Sequence, residues 1–435
     1  MKVGRSKEMN VKTIKIFCGM LAMLAFTACS SDNDERADAP RFYNVTLTAS
    51  MGDAETRALS EGTGNVITAT FAKNDEVVVV KANGTSVGTL TAQTAGASTT
   101  LSGPLNAASL TVGEEVKLRY RSATANYDGQ LGTLAGIAAG QDYAEGTLTV
   151  KTVSPLTFES NSVTLLAKQS ITKFTFKDAS TNATVSVKTF GIAAVGLVQS
   201  IATNGTETAG AVTGTLGTAS SDVYVALRTS SSSQAYSFTV KDNDGNWYIA
   251  TKNAKLTNRK NYTATVKLNK LPALTSGSAV GTIGVVGGLP AIVIVNNNTT
   301  TTAVALMNTG ALCPEAYGTY YTFANLPSGD WYVPSKAELE TLAGFSSSWG
   351  APYGVNGRTF TIGGNTLFLP AAGLDDGDND PHDFLYVSEF GYYWSSTPAS
   401  DDALAICLSF SSSAINIISD YKIDGLTIRP FHALN

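Results

Sequence analysis

The sequence predicts a mainly β protein in which two tandem sandwich-like units are followed by a small α+β unit. Three observations predict it. From residue 41 onward, apolar residues alternate with polar ones over short runs rich in Thr, Val, Ser and Gly, the period of half-buried strands. Turn signals such as Asn83-Gly84 and Asp242-Asn243-Asp244-Gly245-Asn246 punctuate those runs. Near Leu271-Pro272 the composition shifts and aromatic residues become denser. The one convincing helix signal lies beyond that point, where Ser335 precedes 336–342 with Glu338 placed to complete a capping box.

In chain order, Val45, Leu47 and Ala49 alternate with Asn44, Thr46 and Thr48 in a first strand. The apolar run 77–80 enters Asn83-Gly84 and resumes at Val87 and Leu90, which predicts a hairpin. Strand patterns follow at 116–120, 147–153, 163–166, 172–176 and 223–227. Strands at 236–240 and 247–250 flank the Asp242 turn, and 262–268 closes this stretch. Ser154-Pro155 is the expected seam, giving units at 41–154 and 155–270. The apolar stretch 280–295 is too short to cross a bilayer and carries Gly281, Gly284, Gly287, Gly288 and Pro290. It predicts two buried strands around a Gly-Gly-Leu-Pro turn. In the third unit, 275–435, strands are expected at 366–369, at 404–410 with Leu404, Ile406, Leu408 and Phe410 on one face, and at 426–429.

The chain opens with Lys2, Arg5, Lys7, Lys12 and Lys15 ahead of an apolar run at 16–26, the layout of a secretory signal; from Met9, Lys12 and Lys15 would still suffice. At about 1.5 Å per residue the run reaches roughly half of a ~30 Å hydrocarbon core, so it is a signal segment rather than an anchor. Phe26-Thr27-Ala28-Cys29 resembles the lipobox, which implies a signal peptide at 1–28, lipid on Cys29 and a tether at 29–40. The following Ser30-Ser31-Asp32-Asn33-Asp34-Glu35 reads alone as a solvated linker. It also resembles the export signal of Bacteroidetes-type surface lipoproteins, which implies the outer face of the cell outer membrane.

Charged residues make up 15% of the 435-residue chain, the formal net charge is −5, and no Lys/Arg cluster follows the signal, so nucleic acid is not an expected partner. Of four cysteines, Cys18 and Cys29 belong to the signal and lipobox. Cys313 and Cys407 remain, either as a disulfide or as two buried free thiols.

The sharpest polar cluster is Asp375-Asp376-Gly377-Asp378-Asn379-Asp380, with His382 and Asp383 close behind. Asp375, Asp376, Asp378 and Asp380 are the candidate ligands for calcium, a cation that takes six to eight oxygens. The spacing is not that of a full EF-hand loop, and a solvated acidic loop is the alternative. Trp349 and Tyr353, in a Gly/Ser-rich loop, and Asp383 are the candidate ligand-binding residues; Trp331 and Trp394 read as core residues. No enzyme is expected. His382 and His432 stand at no metal-ligand spacing, no Gly-x-Ser-x-Gly elbow or phosphate loop accompanies them, and Cys407 lies within an apolar strand pattern. A glycosidase pair in the acidic loop is disfavoured, because so polar a loop would not raise an acid's pKa.

Residues 41–270 resemble the fimbrillin-like family of Bacteroidetes-type pilus proteins. The resemblance rests on the order of Val45-Thr-Leu-Thr-Ala49, Thr56-Arg57-Ala58, Tyr127-Asp-Gly-Gln130 with Gly132-Thr-Leu134, Val223-Tyr-Val-Ala-Leu-Arg228, and Asp244-Gly-Asn246 leading to Tyr262. It implies two transthyretin-like β-sandwiches and assembly with other pilus subunits by donor-strand complementation. An arginine-specific protease would cut after Arg57 and free the strand 45–49, so that a neighbour's strand fills the groove. The alternative is that Arg57 is a loop arginine. Residues 275–435 resemble the C-type-lectin-like Fibrobacter major paralogous domain through Trp331-Tyr-Val-Pro-Ser335 with Glu338-Leu339, Phe368-Leu-Pro-Ala-Ala-Gly373, Tyr393-Trp-Ser-Ser-Thr397 and Ile428-Arg-Pro430. With no donor strand expected after that domain, the two resemblances imply a fimbrial tip or accessory adhesin that binds a host, bacterial or glycan ligand. A surface glycan-binding lipoprotein outside any pilus is the second reading, and a glycan-degrading enzyme the third.

Overall fold

The computed structural model describes residues 41–52, 60–61, 67–68, 70–377 and 383–434. The signal segment, Cys29 with its tether, Arg57, Asp378, Asp380 and His382 lie outside the described residues. The chain is mainly β, as its alternation predicts. Among the described residues no helix is long and apolar enough to cross a membrane.

The first unit contains β1 (Phe42–Met51), β2 (Glu76–Lys81), β3 (Ser86–Ala92), β4 (Ser98–Asn106), β5 (Glu115–Tyr120), α1 (Leu134–Gly140), β6 (Ala144–Val153), β7 (Leu156–Phe158) and β8 (Ser162–Ala167). The sheet order is β7-β6-β8-β1-β4-β3-β2-β5, and β5 also pairs with β6, so the sheet closes on itself and leaves few free edges. Val45, Leu47, Val77, Leu101, Leu118 and Leu148 fill its interior. The expected hairpin is present: Gly84 takes φ +89° at the tip, and a Cβ there would meet the Thr203 and Asn204 backbone at 2.7–2.8 Å. The seam expected at Ser154-Pro155 is corrected, because β7 folds back antiparallel on β6 and β8 pairs with both β6 and β1, carrying this sheet to Ala167.

The second unit contains β9 (Ser170–Asp178), β10 (Val187–Ala193), β11 (Val212–Ser220), β12 (Asp222–Leu227), β13 (Ser233–Asp242), β14 (Trp247–Lys255) and β15 (Asn261–Lys270), in the order β11-β10-β13-β14-β15-β9-β12. Its core gathers Phe174, Phe176, Phe190, Phe238 and Val240, and also takes Tyr127 and Ile137 from the segment that leaves β5. That segment includes α1, a second helix that the sequence hides behind the glycines of LAGIAAG; Thr133 caps it by accepting from the Gly136 N–H.

The third unit contains β16 (Ile283–Val286), β17 (Leu289–Asn296), β18 (Thr301–Ala305), β19 (Trp331–Tyr332), α2 (Lys336–Ala343), β20 (Ser347–Gly350), β21 (Gly357–Ile362), β22 (Asn365–Pro370), β23 (Leu374–Asp376), β24 (Asp383–Leu385), β25 (Gly391–Pro398), β26 (Leu404–Phe410), β27 (Ile415–Tyr421) and β28 (Phe431–Leu434). The sheet β16-β17-β18-β28-β19 brings the last strand beside the first ones. Gly287 and Gly288 form the two-residue turn between β16 and β17 with φ +52° and +77°, a geometry that the apolar run needed glycines to reach. The α2 capping box forms as expected.

One expectation for this unit is corrected, while the strand at 404–410 forms as expected. Within 426–429 only Leu426 and Thr427 make isolated bridges, so the segment is no strand, and the last strand is β28. In β26 both faces are covered: Leu408 and Phe410 pack with α2 residues Leu339 and Leu342, while Ala405 and Cys407 pack with Trp394 and Ile428. The alternation of Leu404, Ile406, Leu408 and Phe410 therefore marked one of two buried faces.

Candidate functional site

The strand β1 lies inside the first sheet rather than at its rim. It pairs antiparallel with β4 from Phe42↔Asn106 to Ser50↔Ser98 and parallel with β8 from Thr48↔Ser162 to Met51↔Leu165. Val45, Leu47 and Ala49 point into the core, as the alternation requires, and Asn44, Thr46 and Thr48 face solvent. Burying those three apolar side chains contributes on the order of 5 kcal/mol. Beyond Gly52 the chain passes out of the described residues, and Arg57 lies in that stretch.

The first and second units are joined by charged and polar contacts. Arg119, almost wholly buried, donates to Glu145 Oε2 at 3.1 Å, to the Ala123 carbonyl at 2.8 Å and to the Thr203 carbonyl of the second unit. Glu145 also meets Lys168 at 3.2 Å and Lys117 at 3.6 Å. Burial pulls its carboxyl up, but Lys168, Lys117 and Arg119 together hold it below the usual glutamate range.

The second and third units meet at Trp247 and at Cys313. Trp247 packs with Ile292 and Val304 of the third unit and donates from Nε1 to the Gly288 carbonyl at 2.8 Å. Cys313 packs on Ala193 and Ala211 of the second unit, so close that a Cβ on Gly191 would lie 2.5 Å from the Cys313 Cβ. Cys407 is buried elsewhere, against Trp394 and Leu426. The two cysteines are free thiols in separate clusters, which corrects the disulfide expectation in favour of its alternative. Burial pushes both thiols well above their ordinary range.

Of the remaining predicted residues of the third unit, Asp375, Asp376 and Asp383 come together on two paired strands, while Trp349 and Tyr353 pack among other partners. Asp375 and Asp376 lie on β23 and Asp383 on β24, with Asp376 opposite Asp383. Gly377 N–H reaches Asp424 Oδ1 at 3.3 Å. Among the described residues no group of three His, Cys, Asp or Glu is placed to hold a metal ion. Trp349 sits at the core edge, its ring centroid 6.4 Å from that of Phe410. Tyr353 lines a cleft between the second and third units together with Phe368. Trp331 donates to the Gly287 carbonyl and Trp394 to the Tyr321 carbonyl, at 3.1 and 2.7 Å, and both serve packing.

Sequence reading missed two features. One is an exposed aromatic surface at β24: Phe384 and Tyr386 are about half exposed, with Tyr320 5.0 Å from Phe384, and Phe390 and Tyr392 5.7 and 6.5 Å from Tyr386 between ring centroids. The other is Glu315, a buried carboxyl in the same cleft as Tyr353, which no local pattern announces.

Compared with known proteins, residues 357–431 match a family model described as a domain of unknown function, DUF8237, a segment well short of half the chain. No curated protein matches. Among solved structures, a candidate cell adhesion protein from Bacteroides ovatus is similar at 14% identity, covering 53% of this chain and 96% of that one with a TM-score of 0.30. A fimbrial assembly protein from Parabacteroides distasonis aligns at 10% identity over 58% of this chain and 95% of its own, with a TM-score of 0.26. The shaft pilin of Lactobacillus rhamnosus aligns at 14% identity over 54% of this chain and 99% of its own, with a TM-score of 0.23. Superpositions this loose transfer no function to this chain.

Proposed function

We propose that the chain is a surface lipoprotein, lipidated on Cys29, that acts as a fimbrial tip or accessory adhesin. In this reading protease cleavage after Arg57 frees β1, a donated strand from another subunit takes its place, and the lectin-like third unit binds a host, bacterial or glycan ligand. The observation that carries the reading is the position of β1, hydrogen-bonded on both sides and followed within a few residues by an arginine. Its loss would leave β4 and β8 with unpaired backbone groups and the core without Val45, Leu47 and Ala49, which only another strand of matching alternation restores. The strand β28 is committed between β18 and β19, so it is not a spare donor.

The test is incubation of the purified chain with an arginine-specific protease, followed by a peptide of alternating apolar residues. Release of a fragment ending at Arg57 with capture of the peptide is expected, and Arg57→Ala abolishes both. Absence of a cut, or a cut without capture, points to the second reading, a glycan-binding surface lipoprotein outside any pilus. The exposed rings of Phe384, Tyr386 and Tyr421 favour that reading, since aromatic faces stack on sugars. A glycan array separates simple binding from turnover, which would appear as shortened sugars.

A further inference from the structure

Between the outward faces of β13 and β14 and the third unit lies a cleft of about 390 Å³. The second unit contributes Ser237, Thr239 and Thr251 to its lining, and the third contributes Glu315, Tyr353 and Phe368. Glu315 is only 3% exposed, and among the described residues lining the cleft it alone is charged. A carboxylate this buried is costly unless a cation meets it. The titratable groups facing it are Cys313 on its own loop, Arg429 from the interior and Tyr353 across the cleft.

Arg429 meets that need only in part: its charge acts on Glu315, but its hydrogen bonds go to the carbonyls of Ala305 and Phe368 at 3.3 and 2.9 Å. Burial accordingly pushes the Glu315 carboxyl up to about 7, even though its own N–H, the Cys313 thiol and Arg429 draw it down. The rings of Tyr353 and Phe368 stand 6.4 Å apart and nearly perpendicular, a pair of aromatic surfaces beside the acid. Ile249, Ile283 and Leu306 supply an aliphatic lining.

We infer that this cleft binds a primary ammonium carried on a short aliphatic chain, with Glu315 as its counter-ion. The carboxylate and the aromatic faces attract the cation, and the aliphatic lining takes the stem. Anionic ligands are repelled, and neutral ones leave the acid unpaired. The ammonium can belong to a free alkylamine or to a lysine side chain of a peptide. This site stands apart from the pilus reading and does not depend on β1.

The experiment titrates the full chain by calorimetry with n-pentylamine and with Nα-acetyl-lysine N-methylamide, with 1-pentanol as the neutral control, at pH 8 and pH 6. Pairing needs ionised Glu315, whose population around a pKa near 7 falls roughly tenfold between those pH values, so affinity weakens about tenfold. At least one amine is expected to bind saturably at pH 8, to weaken accordingly at pH 6, and to lose binding in Glu315→Gln. That variant keeps the shape of the protonated acid, and its melting curve verifies folding. Tyr353→Leu is expected to weaken binding without abolishing it. Binding of pentylamine alone identifies a free amine as the ligand, and binding of the lysine derivative identifies a peptide side chain. Neither amine exceeding pentanol, or Glu315→Gln binding as tightly as the parent, overturns the inference.

Discussion

Gln130 holds both backbone polar groups of Ala226: its Nε2 donates to the Ala226 carbonyl at 2.8 Å, and its Oε1 accepts from the Ala226 N–H at 2.9 Å. The Gln130 main chain meanwhile pairs with Thr213 and Thr215 on β11. One residue from the segment leaving β5 thus spans both edge strands of the second sheet, β11 and β12. Replacing it by Leu leaves the buried Ala226 groups without those partners, at a cost of about 2–4 kcal/mol. Denaturant unfolding is expected to show that loss in a transition shared by the first and second units. A shift confined to a separate second-unit transition would mean that the segment does not couple them.

Leu47, only 3% exposed on β1, packs against the first-unit core. Leu47→Ala is expected to destabilise that unit by about 3 kcal/mol, the usual cost of a buried cavity, whereas Asn44→Ala on the solvent face changes stability by less than about 0.5 kcal/mol. Equal effects would place β1 outside the core.

Glu145 answers three cations, of which Arg119 is nearly inaccessible to water. Its folded carboxyl is held below the usual value, so the stability it contributes is full above about pH 4.3 and is lost as pH falls through the lower folded value. Glu145→Gln should therefore cost about 3 kcal/mol at pH 7 by stranding Arg119, and the gap from the parent should close under acid conditions. Urea melts of both proteins from pH 7 to pH 3 measure this; a gap that widens on acidification contradicts it.

Cys313 and Cys407 are expected to resist an aromatic disulfide reagent in the folded protein and to react once it is unfolded. A peptide map without reduction should show the two cysteine peptides unlinked. A linked pair would reverse the assignment.

Local chemistry was legible in the sequence and long-range pairing was not. The turns at Asn83-Gly84 and Gly287-Gly288 announced themselves because the positive φ they need is one that glycine takes at little steric cost. The Ser335–Glu338 box was equally plain, being complete within one helical turn. Ser154-Pro155 misled because a turn signal does not say whether the next strand rejoins the same sheet; β8 does so by running parallel to β1, from which it is more than a hundred residues distant. The role of Gln130 in bridging two strand edges has no short-range signature either. Glu315 was invisible for the same reason, since the cleft it lines is shared by residues more than sixty positions away in the chain, such as Ser237 and Thr251. Trp349, Tyr353 and Asp383 have ligand-binding chemistry, and the fold sets them apart.

In the proposed function β1 is a replaceable strand. Hydrogen exchange of β4 and β8 amides decides this, measured on the intact chain, after cleavage at Arg57, and after addition of a donor peptide. Strong protection is expected at first, followed by its loss along the edges facing β1 once the fragment leaves and its return when the peptide binds. Protection that survives removal of the fragment, or that the peptide fails to restore, overturns the strand-exchange reading.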